Sequence, residues 1–236
     1  MKTQRKQSSM ADSPPLVEQA FSRLRKDVLT GTLAAGTKLK VEELQEAYGF
    51  SSSPLREALS RLAQEGLVRA DERRGFRVAS ITAEDLADIT RMRLMLDVQA
   101  LAESMQHGHD HWEAAIVSAY YRLEKVESRL GEGPLILDEE WSALHREFHA
   151  SLLAACPSER QRNWSLSLFD QAERYRRYSA RYRKTSRRKS NEHKKIMEAT
   201  LKRDAKIACA LLAEHIQGTQ RSVETVLKSI GQSPQA

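Results

Sequence analysis

From Thr82 to its C-terminus the chain shows almost no strand-like alternation, and this limits its fold more than any single motif does. Apolar residues recur instead at helical spacing over 82–107, 111–130, 138–155, 159–184, 190–203 and 204–228, broken at HGHD, GEGP, CPS and TSRRKS. There is no internal repeat. Helices of this kind bury their apolar stripes against one another, which predicts an all-α bundle of six or seven helices. Across the 236 residues, 30% are charged and 40% hydrophobic, a balance that fits a soluble, mainly helical protein. No apolar run approaches the roughly 20 residues of a membrane-spanning helix. The polar start MKTQRKQSSMADSPP lacks the apolar core of a secretory signal, so a cytoplasmic protein is expected. Cys156 and Cys209 have no metal-type spacing and read as buried free thiols.

The first third is different. LVEQAFSRLRKDVLTGTL places Leu16, Ala20, Leu24 and Val28 on one helical face and closes at Gly31. LAAGTKL reads as a turn into a short extended piece, and KVEELQEAYGF as a short helix stopped at Gly49. SSSPLREALSRLAQEGLV opens with serines able to cap a helix and carries Pro54 in the first turn, where a missing N–H costs nothing. LVRADERRGFRVAS then reads as two short strands around a basic turn. Helix, short helix, turn, helix, hairpin is the order of a winged helix-turn-helix, whose second paired helix enters the DNA major groove by its N-terminal residues. Those residues are Ser52, Ser53 and Arg56. The wing brings Arg73, Arg74 and Arg77 to phosphates or the minor groove, with Gly75 permitting close approach. Charge agrees with this reading: residues 1–80 hold 14 Lys/Arg against 10 Asp/Glu, four of the net +6.

Four of the seven histidines stand on partly apolar faces of the later helices. His145 and His149, in SALHREFHAS, are four apart and point the same way. His193 lies in NEHKKIMEA and His215 in LLAEHIQGT. A lone histidine on such a face is usually a core residue satisfied by one hydrogen bond. Four converging rings are hard to satisfy that way, whereas one divalent cation would satisfy all of them, and neutral imidazole suits zinc, nickel, iron or copper.

The stretch GTKLKVEELQEAYGFSSSPLREALSRLAQEGLVRADERRGFRVA resembles the DNA-binding domain of the GntR family of bacterial transcription regulators, over residues 16–79. The resemblance implies a homodimer reading a short palindromic operator in double-stranded DNA. By position it makes Arg56 the recognition-helix arginine, Ser51 and Ser53 hydroxyl contacts, and Gly75 the wing-tip glycine. Many relatives carry arginines where this chain has Glu42 and Ser52. A bidentate Arg–guanine contact is worth about 1–3 kcal/mol of discrimination, so the operator sequence does not transfer. Lys38, Lys40 and Arg61 can supply phosphate contacts, which position without specifying.

LDEEWSALHREFHASLLAAC, NEHKKIMEA and LLAEHI together resemble the effector domain of FadR-type GntR regulators, the FCD group. Many of these hold a metal through an Asp-x-x-x-His pair and two further histidines. His149, His193 and His215 take the histidine positions, while His145 stands where the aspartate is usual. Four imidazoles carry one negative charge fewer, which favours a borderline-soft metal, zinc first, with nickel or iron as alternatives, and a more anionic effector. Arg93 and Asp97 match the family's R-x-x-x-E helix, and the resemblance makes Arg93 the carboxylate partner. PLREALS, GFRVAS, WEA and the His-x-x-x-His replacement are most similar to the glutarate-responsive repressors called CsiR or GlaR, which implies a repressor released by glutarate or 2-hydroxyglutarate.

Two other clusters compete. His107, His109 and His111 in HGHDH could chelate a metal but fit a solvated interhelix turn better. In the Arg-rich ERYRRYSARYRKTSRRKS, Tyr175, Tyr178 and Tyr182 share one helical face and read as lining the bundle or pocket, with Arg174 and Tyr178 as further effector contacts. The expected domains are a disordered tail (1–15), the DNA-binding domain (16–79), a linker (80–86), a helical metal- and effector-binding domain (87–230) and a tail (231–236). A non-enzymatic regulator is the leading expectation. A metal-dependent hydrolase would need an aimed general base, and Glu147, two residues from each histidine, lies on another face. A sensor in which the ion is itself the signal is the other alternative.

Overall fold

The computed structural model describes residues 14–71, 75–129, 138–182 and 190–231. It divides into two compact units, one ending at Ala79 and one running from Ser80. Arg73, Arg74 and both expected tails lie largely or wholly outside the described residues.

The N-terminal unit holds α1 (Leu16–Thr30), β1 (Lys38–Leu39), α2 (Val41–Tyr48), α3 (Ser52–Gln64), β2 (Val68–Asp71) and β3 (Gly75–Val78). Ala20, Leu24 and Val28 of α1 are buried, as are Leu55, Ala58, Leu59 and Leu62 of α3. Gly49 ends α2 in the left-handed region at φ 73°, where its amide donates to the Gln45 carbonyl. Ser51 occupies the N-cap of α3, but its hydroxyl makes no capping bond, contrary to the expectation for these serines. The sheet order is β1-β3-β2, all antiparallel, so the short extended piece at Lys38–Leu39 pairs with the outgoing wing strand, Lys38 opposite Arg77.

The C-terminal unit contains α4 (Ala83–His107), α5 (Asp110–Glu127), α6 (Glu139–Leu153), α7 (Glu159–Tyr182), α8 (Ser190–Leu201) and α9 (Ala205–Gly231). Six helices are thus present among the described residues. The first starts at Ala83 because Thr82 caps it, accepting from the Asp85 amide at 3.2 Å with Glu84 and Asp85 in the first turn. Residues 83–86 are therefore helical, in line with the helical spacing over 82–107, although the expected domain bounds placed them in a linker. Asp138 caps α6 in the same way, accepting from the Trp141 amide at 2.7 Å. Helix α4 packs on α7 and α9, α5 on α6 and α8, and α8 on α9. Leu101, Ile116, Leu123, Phe148, Leu152, Ile196 and Leu212 form the core between them, each almost fully buried.

Gly108 joins α4 to α5 where no side chain fits. A Cβ there would lie 2.2 Å from Trp112 Cε3. That ring cannot easily yield, because its Nε1 donates to the Ser151 carbonyl at 2.8 Å and the Arg203 guanidinium lies over it. His107, His109 and His111 around this junction are all exposed.

Candidate metal centre and nucleic-acid interface

The apolar stripe of α6 (Trp141, Leu144, Phe148, Leu152) carries His145 and His149 inward with it. His193 lies on the buried face of α8 with Ile196 and Thr200, and His215 on that of α9 with Leu212, Ile216 and Thr219. Helical periodicity therefore aims all four rings at one place. Each is at most 5% exposed, and their ligand nitrogens lie within 4.8 Å of one another. Ligands on one tetrahedral ion with bonds of about 2.1 Å stand about 3.4 Å apart, so the rings need to close in by roughly an ångström to share a single ion.

The hydrogen-bonding of the cluster is incomplete. His145 Nε2 and His149 Nε2 face each other at 3.1 Å, His145 Nδ1 has no hydrogen bond, and neither ring nitrogen of His193 has one. Buried polar atoms left in this state cost about 1–3 kcal/mol each. Burial, followed by the neighbouring rings, holds His145 and His149 well below the usual imidazole range, so both are neutral and able to donate lone pairs. The donor set thus fits a divalent transition metal.

The same shifts set a pH dependence for metal-free protein. The unfolded chain takes up protons on these residues as pH falls through about 6.5, whereas the folded chain does not until far lower. Stability from the two rings is complete above about pH 6.5 and is lost below it. The melting temperature of chelator-treated protein is expected to decline from pH 6.5 to 5, as a pH series of thermal melts would record. A flat profile would mean that the rings are not buried in neutral form.

A small cavity lies beside the cluster, with Arg93, Asp97, His149, Ser165, Phe169 and Leu212 in its wall. Arg93 and Asp97 form a buried ion pair at 2.9 Å, and this sequence-predicted pair shares the cavity wall with His149 of the cluster. Burial pushes the Asp97 carboxyl up, opposed by the Arg93 charge. Asp97 Oδ1 and Ser165 Oγ have no hydrogen bond of ordinary geometry there. Arg174 is buried in α7 and Tyr178 half-buried against Tyr182, and neither lines this cavity. Tyr175 is fully buried and donates to Asp85 at 2.6 Å, but Tyr182 is 52% exposed, so the three tyrosines do not share one buried face. Cys156 is buried and Cys209 only partly so, both free. Glu147 pairs with Arg122 at 2.6 Å on the exposed side of α6.

Several neighbours of the cluster were not signalled by pattern. Arg176, buried in the Arg-rich stretch, pairs with Glu173 at 2.8 Å and sits over the Phe169 ring. Glu127 stands 3.3 Å from His193 Nδ1, and Glu192 stands 2.8 Å from His215 Nδ1. These placements depend on helix crossings that spacing along the chain does not encode.

In the N-terminal unit Ser51, Ser52, Ser53 and Arg56 are all exposed at the start of α3. Gly75 opens β3 at φ 83°, a conformation that side chains disfavour. Lys38, Lys40 and Arg77 are also exposed. Lys40 pairs with Glu43, while Arg77 donates to the Gly36 carbonyl. Arg61 is held by Glu18 at 2.8 Å and by the Phe21 ring, which ties it into the fold.

Two family models match the chain, that for bacterial regulatory proteins of the gntR family over residues 16–78 and that for the FCD domain over 88–218. An uncharacterized HTH-type transcriptional regulator, BphR of Paraburkholderia xenovorans, is 36% identical over 89% of both chains. The Escherichia coli HTH-type transcriptional repressor GlaR is 31% identical over 82% of this chain and 89% of its own. Among solved structures, E. coli McbR/YncC superposes with a TM-score of 0.73 over 92% of this chain and 100% of its own, at 19% identity, a likeness of fold. Among the described residues no helix is long and apolar enough to cross a membrane.

Proposed function

Because this chain belongs to the gntR family of bacterial regulatory proteins and carries an FCD domain, and is thus a transcriptional regulator, we propose that it is a repressor released by a small dicarboxylate bound beside a metal ion. Regulators of this family bind DNA operators and act as dimers. The relative GlaR is named a repressor, which supports that sense of regulation.

The observation that carries the metal reading is the buried group of four histidines, whose nitrogens no protein partner fully satisfies. His145, His149, His193 and His215 hold the ion, with zinc the first choice for a neutral imidazole set. A divalent ion on four neutral ligands keeps positive charge in a buried site, only part of which nearby carboxylates offset. An anion of the glutarate type suits it, with Arg93 at its carboxylate, and the hydroxyl of 2-hydroxyglutarate has Asp97 Oδ1 or Ser165 Oγ as partner. The cavity is small, so its walls must move apart to admit a five-carbon diacid. That movement gives the ligand its differential affinity for two arrangements of the helices, and a coupling of about 1–3 kcal/mol changes operator affinity by roughly 5–150-fold. In the N-terminal unit Arg56 and Ser51–Ser53 read base edges, while Lys38, Lys40, Arg77 and the wing arginines Arg73 and Arg74 meet phosphates.

Thermal melting of zinc-loaded protein with and without glutarate tests the proposal, repeated after chelation. A ligand at a hundred times its dissociation constant adds about 2.7 kcal/mol, so a rise of several degrees is expected with zinc and none without it. An equal rise after chelation would remove the metal from the effector site. A change in operator binding on adding zinc alone would instead make the ion the signal.

A further inference from the structure

Two carboxylates back the histidine cluster from outside. Glu127, near the end of α5, places Oε1 3.3 Å from His193 Nδ1, close but not aligned for a hydrogen bond, and accepts from Trp141 Nε1 at 3.2 Å. Its side chain is only 10% exposed, and its Oε2 is buried without a partner. Glu192, on α8, places Oε2 2.8 Å from His215 Nδ1 on α9. His145 lacks such a carboxylate, its ring stacking on Trp141 at 4.4 Å with Nδ1 unpartnered. The indole of Trp141 therefore covers one histidine while holding the carboxylate behind another.

We propose that Glu127 and Glu192 are positioning residues of the metal centre, Glu192 accepting from the Nδ1–H of His215 as it stands and Glu127 taking up the same bond to His193 Nδ1–H when the ion is bound, and that together they supply from outside the negative charge that four imidazoles lack. The inference rests on the metal reading above. A neutral imidazole carries one N–H and one lone pair. Once Nδ1–H points at a carboxylate, the lone pair belongs to Nε2, so His215 faces the ion already in the ligating tautomer, and Glu127, 3.3 Å from His193 Nδ1, draws His193 into the same one. The carboxylate also makes the ring a stronger donor and offsets part of the ion's charge, since an outer partner of this kind commonly governs 10–100-fold in affinity. His193 and His215 thereby form the firm half of the site. His145 and His149, one helical turn apart on α6, form the half whose tautomers the ion itself selects. Glu127, the more enclosed of the two carboxylates, has the larger effect because water screens it less.

The test compares wild-type protein with Glu127→Gln, Glu192→Gln and Glu124→Gln. Zinc affinity is read by competition with a chromophoric chelator, and the site's geometry by the visible spectrum of the cobalt(II) form. Glu124 lies one turn before Glu127 and accepts instead from the Tyr120 hydroxyl, so its variant makes the same charge change away from the histidines. Expected are losses of about 10–100-fold in zinc affinity for Glu127→Gln, a smaller loss for Glu192→Gln, altered cobalt spectra in both, and wild-type behaviour for Glu124→Gln. If wild-type protein binds no zinc, the metal reading fails and the proposal with it. If wild-type protein binds zinc and both glutamine variants match it in affinity and spectrum, the metal centre stands and the positioning role is overturned. Equal weakening by Glu124→Gln also overturns it, because general charge then explains the loss. Melts of the metal-free variants show whether each is folded. If Glu127→Gln does not fold, Glu192→Gln decides the question alone.

Discussion

Replacing His149 by alanine is expected to empty the metal centre and abolish any response to the diacid. His149 is the ring that both belongs to the four-histidine cluster and lines the cavity with Arg93 and Asp97. Its loss removes one inner ligand, a larger change than the roughly 10–100-fold attached to an outer partner. Metal analysis of dialysed protein is expected to fall from about one ion per chain to near zero, as in structural sites where binding depends on every ligand. The melting temperature then no longer responds to zinc or to glutarate. His109→Ala, at the exposed α4–α5 junction, serves as the control and retains its metal. Unchanged metal content in His149→Ala would place the ion elsewhere on the chain.

The second large effect concerns DNA. Arg56 stands exposed in the first turns of α3, and among the described residues no ion pair engages it. Arg56→Ala is therefore expected to leave the fold of the N-terminal unit alone and to remove one side chain proposed to read a base. Affinity for a duplex selected in vitro with wild-type protein is expected to fall by roughly 5–150-fold, the equivalent of about 1–3 kcal/mol, with relaxed preference at one position of each half-site. Lys38→Ala separates the two kinds of contact. It weakens all duplexes alike and lowers the salt slope by about one. Arg56→Ala binding with wild-type affinity would end the assignment of α3 as the reading helix.

Much of this was legible in the sequence, for reasons that lie in particular residues. Gly49, Pro54 and the leucines of α3 act through local backbone geometry and helical period, so spacing alone locates the paired helices. The i, i+4 relation of His145 and His149 follows from the same period. Bringing His193 and His215 to them needs three helices packed in one order, and there the resemblance of the chain to a known family supplied what spacing could not. The outer carboxylates escaped notice because Glu127 and Glu192 look like ordinary solvated acids in RLEKVES and NEHKK. Only the crossings of α5 with α8 and of α8 with α9 turn them toward imidazoles. Arg176 was hidden by composition, since it and Arg174 are buried in a stretch whose many arginines invite a surface reading. Ser51 shows the converse error, since a residue suited to capping occupies the N-cap without making the bond.

The position of Trp141 has an optical consequence. Its indole is stacked on His145, while Trp112 packs at the other end of the α4–α5 turn and Trp164 is open to solvent. Nickel, copper or cobalt bound to the four rings would quench Trp141 emission through their open d-shells, and zinc, with its filled shell, would leave it bright. The emission of purified protein would thus separate an open-shell ion from zinc without a label.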